Sequence, residues 1–175
     1  MRKQVISIML IFMFALMNTP FIAEAEGRTP AKAACLNEKV IKLKYGMQEL
    51  WIEHAWWTRS YIVSNLAGLE DQNNVLERLL QNQVDIGNII KPYYEEKAGN
   101  KLTSLLKEHI LLAGKIIDAA KKGSQAAVDQ YNKLWLRNAD EIVAFLTSAN
   151  PHCSKQMLTD MFYTHLKLTT RLNTD

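Results

Sequence analysis

The chain has 175 residues, enough for one domain and too few for a multi-domain enzyme. Hydrophobic residues make up 48% and charged residues 22%, with only 7 Gly and 4 Pro, which excludes a disordered or collagen-like chain. A formal charge of +3 without a basic stripe argues against nucleic acid as a partner, and 2 Cys exclude a disulfide-dense scaffold and a thiolate zinc finger.

Arg2 and Lys3 precede a nearly unbroken apolar run from Val5 to Met17, followed by Pro20 and Ala23-Glu24-Ala25. That order of charged, apolar and small residues is the pattern of a secretory signal peptide, with cleavage expected near Ala25. The run is far short of the roughly 20 residues a membrane span needs, so no stable membrane anchor is expected after cleavage. Removing Arg2, Lys3 and Glu24 takes two bases and one acid from +3 and leaves +2. Residues 1–25 are thus expected to be a leader, 26–36 a short exposed segment and 37–175 the folded domain. The expected location is the cell envelope or the medium. There a Cys35–Cys153 disulfide is chemically permitted, the alternative being two unpaired thiols. An envelope protein or a polysaccharide is the class of partner such a location offers.

From Asn37 onward helical periodicity dominates and no alternating strand of convincing length is found. Leu43, Met47, Leu50, Trp51, His54, Thr58, Tyr61 and Ile62 recur at three- and four-residue steps along a long first helix that Gly68 ends. Asp71 can cap a second helix running to about Ile90, with Pro92 as a break and Gly99 as a stop. Asn100 can cap a third, through Leu105, His109, Leu112 and Ile116 to Gly123, and Ser124 a fourth, carrying Leu134, Leu136, Ile142 and Phe145. The turn Ser148-Ala149-Asn150-Pro151 separates it from a last helix, capped by Ser154, with Leu158, Met161, Phe162, His165 and Leu168. Short loops between such segments favour antiparallel neighbours, hence an all-α, up-and-down bundle of about five helices.

The sequence also repeats at about 55 residues. Leu50, Glu53, His54, Ile62, Gly68, Leu79 and Asp85 fall on Leu105, Glu108, His109, Ile117, Gly123, Leu134 and Asp140, and Arg78 falls on Lys133. A second shift, of 56, places Leu102-Thr103, Leu105 and His109 on Leu158-Thr159, Met161 and His165. The expected unit is a helical hairpin that cannot bury its apolar face alone, with a His on the first helix and an Asp on the second.

His54, His109 and His165 each sit within an apolar stripe, so three helices would present imidazoles to one interior, and Asp85 and Asp140 would add carboxylates. Buried imidazoles and carboxylates need partners or a cation, and bundles supply both by converging such groups on a metal. The expected ligand set is His54, Asp85, His109, Asp140 and His165, suited to a divalent transition metal (Zn, Fe, Mn or Cu), or to a small polar ligand. The competing reading is a buried polar network that only sets helix register, with Arg78 and Lys133, two helical turns before the Asp residues, neutralising them. The tight metal motifs His-x-x-x-His and Glu-x-x-His are absent, as are a nucleophile elbow and a phosphate loop, so the expectation leans away from an enzyme. Glu53 and Glu108 turn about 100° from their His neighbours and suit supporting or surface roles. His152 reads as a solvent residue. Trp56-Trp57 cannot both face a core, and with Tyr93-Tyr94 they mark a region that could meet a partner.

Trp51-Ile52-Glu53-His54-Ala55-Trp56-Trp57-Thr58-Arg59, then Asp85-Ile86-Gly87-Asn88, Lys91-Pro92-Tyr93-Tyr94, Asn138-Ala139-Asp140 and His165-Leu166, resembles a group of small exported helical proteins of Bacillus-like bacteria. The resemblance covers most of the chain beyond the leader and implies an exported helical fold without a particular activity. The architecture is also similar to haemerythrin-like and ferritin-like metal bundles, whose ligand motifs this chain lacks.

Overall fold

The computed structural model describes residues 38–171; the expected leader, the segment 26–36 and Cys35 lie outside the described residues. These residues are all-helical, without a strand. Four helices follow one another: α1 Glu38–Ala67, α2 Gln72–Lys121, α3 Gln125–Ala149 and α4 Lys155–Arg171. Each packs on the next along the chain. Among the described residues no helix is long and apolar enough to cross a membrane.

The count of four differs from the expected five because α2 is one helical run of 50 residues, folded at Glu95. Pro92 lies inside that run, and the break comes three residues later, where Glu95 takes φ 69° and ψ 164°. The two arms double back so tightly that a Cβ on Gly87 would stand 2.6 Å from the Gly99 carbonyl oxygen. Gly99 is therefore not a stop: it is helical and buried, and its missing side chain lets the arms touch. Gly68 and Gly123 do terminate helices, with φ of 63° and 67° in the left-handed region that glycine enters without a Cβ penalty.

Of the expected caps, Ser154 Oγ accepts from the Met157 backbone N–H at 3.3 Å. Asp71 and Ser124 make no side-chain cap bond; Asp71 instead accepts the Ser64 hydroxyl at 2.5 Å, tying the end of α1 to the start of α2. The principal core gathers Ile86, Leu105, Ile116, Trp135, Ile142 and Phe162 from α2, α3 and α4. Each such side chain contributes about 2 kcal/mol by leaving water. A smaller cluster of Tyr61, Leu79 and Ile110 joins α1 to both arms of α2. Cys153, the described half of the permitted disulfide, packs half-buried against the principal core.

Candidate functional site

Between the two apolar clusters lies a cavity of about 30 Å³, room for one or two water-sized guests. His54 from α1, His109 from α2 and His165 from α4 all line it. Leu79, Ile110, Ile117 and Trp135 supply apolar wall, and Thr58, Thr169 and Thr170 the rest of the polar wall. Among the described side chains no Asp, Glu, Lys or Arg lines it.

The expected carboxylates are elsewhere. Asp85 accepts from Gln81 Nε2 at 3.0 Å and lies 3.8 Å from Arg78, at the surface. Asp140 is exposed and accepts the Tyr163 hydroxyl at 3.0 Å. The cause is helical phase. The residues two positions earlier, Gln83 and Asn138, do reach the imidazoles, and two residues rotate a helix by about 200°. Among the described residues no group of three His, Cys, Asp or Glu side chains is arranged to hold a metal ion.

His109 is the most deeply placed imidazole, 6% exposed. Asn138 Nδ2 donates to the Leu105 carbonyl at 3.1 Å, which turns the amide oxygen toward the ring. His109 Nδ1–H then donates to Asn138 Oδ1 at 2.8 Å. The other nitrogen, Nε2, consequently carries the lone pair, and it is buried without a hydrogen-bond partner among the described residues. Trp135 Nε1 donates to the His109 carbonyl at 3.0 Å, and the two rings lie 5.1 Å apart, so backbone and side chain are both held.

His54 also sits against buried amides. Gln83 Nε2 donates to the Leu79 carbonyl at 2.9 Å and to Asn82 Oδ1 at 3.0 Å, which takes both its hydrogens, and lies 3.1 Å from His54 Nδ1. His54 Nε2 lies 3.4 Å from Thr58 Oγ1. Gln83 Oε1 is buried without a partner among the described residues. His165 brings its ring centroid to 6.0 Å from that of His109, with 26° between the planes.

Burial dominates the electrostatics. Desolvation lowers His54 to about 4, His109 to about 3 and His165 to about 4; mutual repulsion among the three rings adds to the effect on His54 and His109. At neutral pH the cavity is thus faced by uncharged imidazoles, able to accept a hydrogen bond or to ligate, and poorly disposed to carry a proton.

Of the supporting or surface roles expected, Glu53 pairs with Arg78 at 2.7 Å, while Glu108 lies 3.9 Å from Arg137 and accepts from Asn138 Nδ2 at 3.4 Å, behind His109. Trp57 packs against the Arg78 guanidinium at 5.3 Å, whereas Trp56 is exposed. His152 is exposed. The amides Asn82, Gln83 and Asn138, fully buried, are what sequence reasoning missed. A signal for two of them was present: Gln83 follows His54, and Asn138 follows His109, by the same 29 residues. No family model, curated protein or solved structure matches the chain.

Proposed function

We propose that this is an exported, non-catalytic binding bundle that takes one small guest among His54, His109 and His165. What carries the reading is His109 Nε2, a lone-pair nitrogen buried on the wall of a cavity that two further imidazoles share. The ring is set as a ligand is usually set, its other nitrogen donating to a carbonyl oxygen. An imidazole-only wall suits Zn or Cu among the transition metals better than Mn, which favours carboxylates. A small neutral hydrogen-bond donor is the other guest that this wall accommodates. Asp85 and Asp140 have no part in the site. Holding a metal requires the three rings to close around it. The order of residues from Arg2 to Ala25 supports export to the envelope or medium.

The 55-residue repeat belongs to the same reading. Gln83 on His54 and Asn138 on His109 are equivalent under that shift, as are Leu50 and Leu105, whose carbonyls accept from Asn82 and Asn138. Counting the two arms of α2 separately then makes five rods, two hairpins and a single helix, descended from one hairpin.

The test is metal retention. The purified protein, saturated separately with Zn and Cu and then dialysed, is expected to keep one equivalent of one of them, and His109→Ala to lose it. No retention in the wild type, or equal retention in the variant, overturns the metal reading. A second reading has its own support, the amide bonds that anchor His54 and His109 to neighbouring residues. On it the network only sets helix register, and the molecule is an interaction module of the envelope or spore surface. Loss of a His then lowers the melting temperature, while metal and chelator change nothing.

A further inference from the structure

The first helix carries a second apolar face that no other described residue covers. Ile41, Tyr45, Ile52, Trp56, Val63 and Leu66 are all exposed, Tyr45 by 64% and Trp56 by 60%. At about 100° per residue they fall within an arc of roughly 80°, on the side of α1 opposite Leu43, Leu50, His54 and Tyr61. From Ile41 to Leu66 the stripe runs about 38 Å. Isolated exposed apolar residues are ordinary, but a continuous stripe of this size marks an interaction site.

Its spacing says what kind. Positions 45, 49, 52, 56, 59, 63 and 66 alternate steps of four and three, the unbroken a/d seam of a coiled coil. Five of the seven are apolar. The other two are Glu49 and Arg59, both exposed. In a parallel pair of α1 helices each would face its own like charge. In an antiparallel pair centred on residue 54, Glu49 faces Arg59 of the second copy, and Arg59 faces its Glu49. The same register sets Ile52 against Trp56 and Tyr45 against Val63, and lays the Lys42 stem over Leu66. Every position of the seam is thus complemented by its own symmetry mate, as a two-fold interface requires.

We propose that the exposed face of α1 is the contact of a homodimer, two copies packing antiparallel about residue 54 with reciprocal Glu49–Arg59 pairs. Closing the seam removes roughly 500–600 Å² of apolar side chain from water per copy. That is about 1,100 Å² per dimer, the lower edge of specific interfaces and consistent with an association of micromolar strength. The inference is independent of what the histidine cavity holds, since the two faces lie on opposite sides of α1.

Sedimentation of the purified protein from about 1 to about 100 µM tests it. The expected result is a concentration-dependent dimer that Trp56→Glu abolishes. Glu49→Arg and Arg59→Glu each weaken it about tenfold or more, because each places like charges together twice per dimer. The double variant Glu49→Arg/Arg59→Glu restores it to within about threefold of wild type. All three sites face solvent in one copy, so far-UV circular dichroism is expected to show unchanged helix content. A monomer at the highest concentration overturns the proposal. So does a dimer indifferent to Trp56→Glu, or a double variant no tighter than the singles. A monomer that binds phosphatidylglycerol vesicles through Trp56 also overturns it, by giving the face to lipid.

Discussion

Acidification tests the histidine cavity directly. In the unfolded chain each His titrates near 6.5, whereas burial holds His54 and His165 near 4 and His109 near 3. Folding therefore expels protons throughout this interval. The stability contributed by keeping the rings neutral is complete above pH 6.5 and lost as pH falls toward the folded-state values. At pH 5 the loss is set by the unfolded value, since 5 still lies above all three buried ones. Each His costs about 2 kcal/mol relative to pH 7.5, and the three together about 6 kcal/mol. Against a domain stability of about 5–15 kcal/mol this is a large fraction. The assay is urea unfolding of metal-stripped protein followed by far-UV circular dichroism, at fixed protein concentration, in half-unit steps from pH 7.5 to 5. In His109→Gln, which retains an amide for Asn138, the dependence around pH 5.5 is expected to fall by about one third. Stability that is flat across the interval, or an equal slope in the variant, would refute a cavity faced by three neutral imidazoles.

Two backbone predictions test the doubled α2. Gly87→Ala drives a Cβ to 2.6 Å from the Gly99 carbonyl oxygen, which cannot retreat without parting the arms, and against the Thr103 side chain. A loss of about 2–4 kcal/mol is expected in the same urea titration, and a loss below about 0.5 kcal/mol would mean that the arms are not in contact. Glu95 holds φ 69° and ψ 164°, a region that side chains rarely enter. Glu95→Gly is expected to stabilise the protein by about 1 kcal/mol, read as an upward shift in melting temperature; destabilisation would place the fold-back elsewhere.

Much of the helical layout was legible in the residues. The stops at Gly68 and Gly123, the Asn150-Pro151 turn and the Ser154 cap are local effects, decided by a few neighbouring backbone groups. The convergence of His54, His109 and His165 was legible for a different reason. Three polar rings within apolar stripes, at nearly equal intervals, share a phase that packing must honour. The fold-back in α2 was misplaced, because the helix runs through Pro92 and breaks only at Glu95, and the close approach of Gly87 to Gly99 depends on both arms being in place. Asp85 and Asp140 were assigned to the interior on equal spacing from their histidines. Equal spacing shows equivalence but not direction, and at two residues beyond Gln83 and Asn138 they point away from the core.

By itself, then, the order of residues determined that the chain is helical, where most helices stop and that three imidazoles lie on inward faces, since these follow from period and from glycine, proline and cap chemistry. Tertiary structure alone decided which polar groups meet those imidazoles and, among the described residues, which nitrogen of His109 is bare and that one side of α1 stays uncovered. Those outcomes depend on the rotation of each helix against its neighbour, where a phase change of two residues exchanges buried for exposed.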